Sequence, residues 1–234
     1  MNKPVLSIFL GLCLTAALQA NHIDFIADGG FLLTTSSTLG SASATQTGDL
    51  GNIVGSEREV SLDFTTGTGF LTTGTLDVPV GPGPVGPDTS KVLLFDNSVS
   101  SAGTLTLTYD GVGSAGLGGL DFDSGWDTID VTFDAVQGEG SLSMIAKDGS
   151  ANMGTLSQTV NSAGTYSFSF ADAAYAGVDF KDVDSIEVQL KTTVLASDFS
   201  ITEITRGIVP EPSGLLLLVG AMLPLSHLRR RLRS

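Results

Sequence analysis

The residues best suited to chemistry form a short acidic segment that also holds the single tryptophan. Asp121, Asp123 and Asp127 lie in the sequence LDFDSGWD, where Gly125 permits a tight turn. Ca²⁺ takes oxygen ligands from carboxylates, so this segment predicts a calcium site; the alternative is that the acids end strands and keep the chain soluble. Trp126 is either a ligand-binding platform that stacks on a sugar ring or a core residue.

A second candidate calcium site pairs Asp24 or Asp28 with Asp198, because the first and last strands of a sandwich often lie side by side. The 121–127 segment lacks the third alternating acid and the terminal Glu of an EF-hand loop, and it does not match a nonapeptide repeat.

The inventory of nucleophiles and bases argues against catalysis. Cys13 is the only cysteine, and His22 is the only histidine before the C-terminal region. The chain therefore has too few Cys and His residues for thiol catalysis, histidine-based triads or His-rich zinc sites. We expect no catalytic residues and no enzymatic activity. Glycoside hydrolysis by two carboxylates stays open as an alternative, although no pair among the 25 acidic residues stands out.

Charge is divided unevenly along the chain. All 25 acidic residues lie between Asp24 and Glu211, whereas only six of the 11 basic residues lie there. Such an acidic span repels nucleic acid and anionic lipid surfaces. Divalent cations, basic partners and neutral glycans remain as ligand classes, with calcium as the one cofactor that the residues suggest.

Short strands make up most of the body around these residues. Polar and apolar residues alternate at Thr104–Tyr109, Thr128–Asp134, Tyr166–Phe170 and Ser185–Lys191. Strict alternation is typical of a half-buried antiparallel strand. Weaker patterns predict eight further strands, at His22–Ala27, Phe31–Thr35, Glu59–Phe64, Phe70–Val78, Lys91–Phe95, Gly140–Ala146, Gly154–Thr159 and Asp198–Ile204.

About twelve short strands separated by Gly, Asn, Asp and Ser favour an all-β fold, an antiparallel two-sheet sandwich of jelly-roll type. One helical turn is expected at Ala171–Gly177, where Asp172 can cap it. The Pro/Gly-rich stretch 78–90 is a surface loop or, alternatively, a linker between two domains. Ser36–Thr47 is interpreted as a polar loop, with O-glycosylation as the alternative.

Residues 1–20 have the features of a secretory signal peptide. Lys3 supplies the positive start, and an apolar run from Val5 to Leu18 leads to Ala20, before the expected cut. Cleavage after Ala17 is the alternative. An uncleaved anchor is disfavoured, because this run would span only about 21 Å of a hydrocarbon layer roughly 30 Å thick.

The C-terminal tail, residues 208–234, has three parts in order. Val209, Pro210, Glu211 and Pro212 precede an apolar segment at about 213–228, and then comes a basic cluster, expected to stay cytoplasmic, of Arg229, Arg230, Arg231 and Arg233. This arrangement resembles the PEP-CTERM sorting signal. The resemblance implies an exported substrate of an exosortase, cleaved near Pro210–Pro212 and delivered to the cell surface or extracellular matrix of a Gram-negative-type bacterium that makes exopolysaccharide.

The body, residues 21–207, has a looser resemblance to PEP-CTERM passenger domains, which resemble carbohydrate-binding-module sandwiches. The segments that carry it are Gly116–Phe122, Val178–Ile186 and Ala196–Ile201. Together the two resemblances imply a structural or adhesive protein of the cell surface or biofilm matrix, with exosortase and exopolysaccharide as partners and a membrane intermediate before processing. The alternative function is that of a secreted lectin or carbohydrate-active enzyme.

Overall fold

The computed structural model describes residues 22–24, 26, 33, 35, 40–47, 53–67, 93–97 and 101–208. Several predicted features lie outside these ranges: the signal peptide 1–20, most of the strand 31–35, the strand 70–78, the loop 78–90, Asp28 and the tail from Val209 onwards. No helix among the described residues is long and apolar enough to cross a membrane.

Six strands form the larger antiparallel sheet, and most of the residues at alternate positions on its inner face are apolar. Their order across the sheet is β2-β3-β5-β10-β7-β8. The bounds are Ser41–Thr47 for β2, Glu57–Gly67 for β3, Ser101–Tyr109 for β5, Gly140–Asp148 for β7, Met153–Val160 for β8 and Val183–Thr192 for β10.

Five strands form the second antiparallel sheet, in the order β1-β11-β6-β9, with β4 also paired to β11. The short strands β1 and β4 share one edge of β11, since β1 pairs with its second half and β4 with its first. The bounds are His22–Asp24 for β1, Leu93–Phe95 for β4, Thr128–Gln137 for β6, Gly164–Ser169 for β9 and Asp198–Gly207 for β11.

The core lies between the two sheets and confirms the predicted sandwich. Leu105, Leu107 and Tyr109 of β5 belong to one buried cluster with Ile129 and Val131 of β6, in the opposite sheet. At roughly 1.5–3 kcal/mol for each fully buried large apolar side chain, this shared cluster dominates the stabilisation of the fold.

The alternating runs predicted β5, β6, β9 and β10 correctly. Each strand extends one to three residues beyond its run at one or both ends, except that β9 ends at Ser169, one residue before the predicted Phe170. The predicted helical turn is also present, as a short 3₁₀ turn at Ala173–Tyr175, and the Asp172 carboxylate caps it by accepting the Ala174 N–H. The interpretation of Ser36–Thr47 as a loop was wrong for Ser41–Thr47, which forms β2. Its inner residues Ala42 and Ala44 are too small to give a hydrophobic signal.

Candidate functional site

A groove with a volume of about 520 Å³ lies where three segments of the described chain meet. The segments are the approach to β6, the residues that follow β9 and the residues that precede β10. Together they expose carboxylates, one lysine and aromatic carbon in one concave place. We call this the loop-end groove; it is lined by Asp123, Asp127, Ser169, Phe170, Ala171, Val178, Asp179, Phe180 and Lys181.

Backbone hydrogen bonds hold the three segments together. Phe122 N–H donates to the carbonyl of Phe180 at 2.7 Å, and Phe170 N–H donates to the carbonyl of Asp127 at 2.9 Å. Asp127 N–H in turn donates to Gly207 at the end of β11, also at 2.9 Å. The groove is therefore attached to the start of β6 and to the end of β11, the two central strands of the second sheet.

The glycine-rich segment that precedes the groove residues also pairs with the first residues of β10. Leu120 and Val183 form an antiparallel bridge, and Leu117 N–H donates to Asp184 O at 2.8 Å. Gly116 has φ = +85°, and a Cβ there would lie only 2.2 Å from the Asp184 carboxylate, so glycine is needed for this close approach. The segments 116–122 and 178–186, which carried the passenger resemblance, thus lie against each other.

Two stacked phenylalanine rings form the floor of the groove, and a tyrosine ring supports them. The rings of Phe170 and Phe180 are stacked at a centroid distance of 4.2 Å, and Tyr175 meets Phe180 edge-on at 5.3 Å. The Tyr175 hydroxyl donates to Met144 O at 3.0 Å, and its burial raises the pKa of this phenol far above the usual value. Tyr175 is therefore a fixed support, whereas the half-buried Phe170 reaches the groove.

Asp148 fixes the segment that carries Asp179 and Lys181. This carboxylate is only 1% exposed and accepts hydrogen bonds from Asn152 Nδ2, from the backbone N–H groups of Ser150 and Asn152, and from Asp179 N–H. The hydrogen bonds from the Asn152 side chain and from Asp179 N–H lower the pKa of Asp148, since they favour its ionised form. The turn between β7 and β8 is thereby joined to one wall of the groove.

The predicted calcium ligands Asp121, Asp123 and Asp127 lie on this same loop but do not converge. One oxygen of Asp121 accepts the backbone N–H groups of Asp123 and Ser124, at 3.0 and 2.9 Å, which makes it a turn-forming residue. The Asp123 carboxylate lies 3.6 Å from Lys181 Nζ, across the groove. Asp121 does not line the groove, so the calcium site on these three acids stays a prediction.

Trp126 lies next to the loop-end groove and contacts a cation. The Arg206 guanidinium lies over the Trp126 ring at 5.4 Å from its centroid and over the Phe122 ring at 5.5 Å. Burial lowers the pKa of Arg206, while the nearby Asp121 carboxylate opposes that change. The half-buried Trp126 therefore anchors the end of β11, and its role in sugar stacking stays a prediction.

Of the second candidate calcium pair, Asp24 lies away from Asp198, and Asp28 lies outside the described residues. The first and last strands do lie side by side, since β1 pairs with β11. The Asp24 carboxylate, however, forms a completely buried ion pair with Arg58 at 2.6 Å and accepts the Tyr109 hydroxyl at 2.7 Å. Asp198 instead accepts the Asn97 backbone N–H at 3.0 Å, and burial together with Asp96 raises its pKa.

His22, the only histidine before the C-terminal region, is half-buried in β1. Its Nδ1 lies 3.8 Å from the Glu203 carboxylate on the neighbouring strand β11. Burial lowers the pKa of this imidazole more than the Glu203 charge raises it, so the neutral ring is favoured at neutral pH.

A different acidic cluster does converge. Single carboxylate oxygens of Glu57, Glu59 and Asp110 lie within 4.8 Å of one another on the outer side of the six-stranded sheet. Glu57 is buried and accepts the Gly113 N–H at 3.0 Å. Burial and the charges of Asp110 and Glu57 raise the pKa of Glu59. The spacing of these acids in the sequence gave no signal, because β3 and β5 meet only in the sheet.

Comparison with known proteins gave structural matches only. No protein-family model matches the chain, and no curated protein matches it. A family 11 carbohydrate-binding module from Clostridium thermocellum, solved with a β-1,3-1,4-mixed-linked tetrasaccharide, matches with 12% identity and a TM-score of 0.34, over 78% of this chain and 98% of that one. An exo-β-agarase matches with 9% identity and a TM-score of 0.38, over 81% of this chain and 26% of the agarase chain.

The cellulose-specific module CBM28 matches with 10% identity and a TM-score of 0.31, over 53% of this chain and 84% of that one. The chain spans about a quarter of the agarase, so that match concerns a part of the enzyme. Identities and TM-scores this low do not carry a ligand or an activity over to this chain.

Proposed function

We propose that this protein is an exported, non-enzymatic component of the cell surface or extracellular matrix that binds a neutral glycan in the loop-end groove. The observation that carries the glycan part is the composition of the groove, in which a stacked phenylalanine pair lies below three carboxylates and a lysine. The proposal joins an apolar surface for a sugar ring with polar groups for its hydroxyls.

The aromatic floor suits a sugar ring because the C–H faces of pyranoses are apolar. Phe180 is nearly buried and is held between Phe170 and Tyr175, so the floor is rigid before a ligand arrives. A preformed surface costs little ordering entropy on binding. Phe170 is the side chain we assign to direct contact with the ring.

The polar groups around the floor favour an uncharged ligand. The carboxylates of Asp123, Asp127 and Asp179 accept hydrogen bonds from hydroxyl groups, and Lys181 donates them. Their summed charge is negative, and so is the surrounding chain, with a net charge of −14. Anionic polysaccharides are therefore repelled, whereas a neutral polymer meets no electrostatic penalty.

Export and sorting belong to the same proposal and rest on the sequence alone. The signal peptide 1–20, the motif Val209–Pro212, the apolar segment at about 213–228 and the arginine cluster agree on one topology. The exosortase would release the body from its membrane intermediate, and the exopolysaccharide matrix would then present the glycan. Residues 21–207 are the delivered domain.

Binding of the full chain to arrays of neutral and anionic polysaccharides tests the glycan assignment, followed by titration calorimetry on the best ligand. Phe170→Ala removes the stacking surface, and Asp123→Asn removes an exposed carboxylate without a change of size. Each variant is expected to weaken binding by about 1–3 kcal/mol, which is roughly five- to 150-fold. Asp134→Asn, an exposed acid outside the groove, is the matched control.

Two results would overturn the assignment. One is equal affinity of the wild type, Phe170→Ala and Asp123→Asn for every glycan bound. The other is the release of new reducing ends from the bound polymer, lost in an Asp→Asn variant, because that would make the protein a glycosidase.

A further inference from the structure

Strand β2 forms one edge of the six-stranded sheet. It pairs with β3 over its whole length, from Ser41 opposite Asp63 to Thr47 opposite Glu57, and the register has no shift. No strand among the described residues pairs with the other side of β2. Alternate residues of β2 therefore direct N–H and C=O groups away from the sheet, where another strand can bind them.

Three features that natural edge strands use against such pairing are missing from β2. The sequence SASATQT contains no charged residue and no proline, and the strand has no bulge. The rest of the molecule has a net charge of −14, so most surfaces of two copies repel each other. An uncharged, regular edge is where two copies approach at the lowest electrostatic cost.

The exposed residues of β2 are arranged symmetrically about Ala44. A two-fold axis at Ala44 would place Ser43 of one copy opposite Thr45 of the other, and Ser41 opposite Thr47. Every outer-face pair would then join two hydroxyl side chains, since Ser41, Ser43, Thr45 and Thr47 are all exposed. On the inner face, Ala44 would meet Ala44 and Ala42 would lie opposite Gln46, so the half-buried alanines would lose solvent contact.

We propose that two copies of this chain associate through antiparallel pairing of their β2 strands about a two-fold axis at Ala44. The two six-stranded sheets then form one continuous sheet, with backbone hydrogen bonds as the main attraction. In the dimer, the two loop-end grooves lie on different copies, so one particle carries two ligand sites.

The opposite edge of the same sheet is less suited to pairing. Strand β8 is also uncharged, but the 3₁₀ turn Ala173–Tyr175 packs against its first half, where Gly154 lies under Tyr175. Near its other end, Gln158 Nε2 donates to the Ser167 carbonyl of the second sheet at 2.6 Å. These contacts cover β8, which makes pairing of β2 with β8 of another copy the weaker arrangement.

Sedimentation velocity of the full chain over a concentration series tests the dimer, with two variants that differ at one position. Ser43→Glu combined with Thr45→Glu places like charges directly opposite each other twice, and we expect the dimer dissociation constant to rise by more than about tenfold. Ser43→Lys combined with Thr45→Glu places Lys opposite Glu twice and is expected to restore the dimer. Both variants contain Thr45→Glu, which lies opposite Glu59 of β3. Any repulsion between these two residues is therefore the same in both variants.

Ser157→Glu combined with Thr159→Glu is the matched control, because it puts the same charges on the outer face of β8. This control is expected to leave the dimer unchanged. The proposal is overturned if no dimer forms, if the β8 control abolishes it, or if the two β2 variants behave alike.

A disulfide trap checks the register independently. Ala44→Cys in a chain that also carries Cys13→Ser has one thiol, and directly opposite strand residues lie about 4.5–5.5 Å apart, within disulfide range. We expect an oxidised dimer from Ala44→Cys and none from Thr159→Cys. Equal trapping at both positions would contradict the two-fold axis at Ala44.

Discussion

Arg58 and Asp24 form an ion pair that is completely buried between the sheets. Both side chains have 0% exposure, and Gln46 of β2 accepts hydrogen bonds from the same guanidinium. The Tyr109 hydroxyl donates to Asp24, and burial raises the pKa of this phenol, which keeps it neutral. Four strands from two sheets are thus joined by one polar network. Loss of Arg58 or Asp24 leaves the other charged group buried without its counter-ion.

Arg58→Met should therefore destabilise the protein severely. The variant replaces the guanidinium by an apolar side chain and leaves the buried Asp24 carboxylate without its cation, and we expect a loss of about 3–5 kcal/mol in the free energy of unfolding. Urea denaturation of the full chain measures this quantity.

Lys147→Met is the matched control for this prediction. It breaks the half-exposed pair of Lys147 with Asp184, whose side chains are 43% and 31% exposed, and is expected to cost about 0–1 kcal/mol. Equal losses in the two variants would contradict the importance of the buried network.

Asp148 makes the stability of the protein decrease at low pH. Its pKa is lowered in the folded chain, so its contribution to the free energy of unfolding is complete above the unfolded-state pKa of roughly 3.9. That contribution is lost as pH falls through the folded-state pKa. Asp148→Asn is expected to lower the melting temperature at pH 7 and to flatten the decline of stability below about pH 4. A wild-type curve and a variant curve that stay parallel below pH 4 would contradict this role.

At the scale of elements, the contact between β8 and the 3₁₀ turn Ala173–Tyr175 depends on one glycine. A Cβ at Gly154 would lie 2.7 Å from the Ala174 carbonyl oxygen and 2.9 Å from Tyr175 Cα. Both atoms belong to the backbone, so the turn itself must move if a side chain is added. The same turn supports the aromatic floor through Tyr175, and it therefore connects the sheet to the loop-end groove.

Gly154→Ala is expected to destabilise the protein by about 1–3 kcal/mol, because it overpacks this contact. Thr159→Ala, on the exposed face of the same strand, is expected to change the free energy of unfolding much less. Glycan binding by Gly154→Ala should weaken as well, which the calorimetric titration described above measures. Normal stability of Gly154→Ala would show that the turn is not held against β8.

The acidic cluster of β3 and β5 gives a test for cations. Glu59 has a raised pKa, so its ionised form destabilises the folded chain at neutral pH, and stability rises as pH falls through that pKa. Glu59→Gln is expected to raise the melting temperature without metal.

Millimolar Ca²⁺ distinguishes this cluster from the predicted site on the 121–127 loop. A rise in melting temperature that Glu59→Gln removes would assign calcium to the cluster, whereas a rise that Asp123→Asn removes would assign it to the loop. An unchanged melting temperature in the wild type would argue against both sites.

For the whole molecule, the proposal of sorting requires that the tail is removed after export. In cells with the matching exosortase, mass spectrometry of the surface form is expected to find a chain that ends near Pro210–Pro212. Replacement of all four tail arginines by Ala is expected to leave the body attached to the membrane, since the positive cluster sets the orientation of the tail. An intact tail on the surface form would contradict the proposal.

Alternation in the sequence was enough to predict most strands of the sandwich. Runs such as Thr104–Tyr109 place Leu and Tyr on one face and Thr on the other, and this local pattern needs no knowledge of partners. Strand β2 was missed because Ala42 and Ala44 bury little apolar surface, so its position as an edge strand depends on pairing with β3.

The strand pattern and the acidic character of the chain could be read from the residues alone, because they depend on neighbouring residues or on simple sums, and the export and sorting signals stay predictions of the same kind. Which distant residues meet depends on the folded structure. Phe170 meets Phe180, Asp24 meets Arg58, and Glu57 meets Asp110. Sheet pairing and loop closure create these contacts between residues up to dozens of positions apart, and no local pattern in the chain encodes such distances.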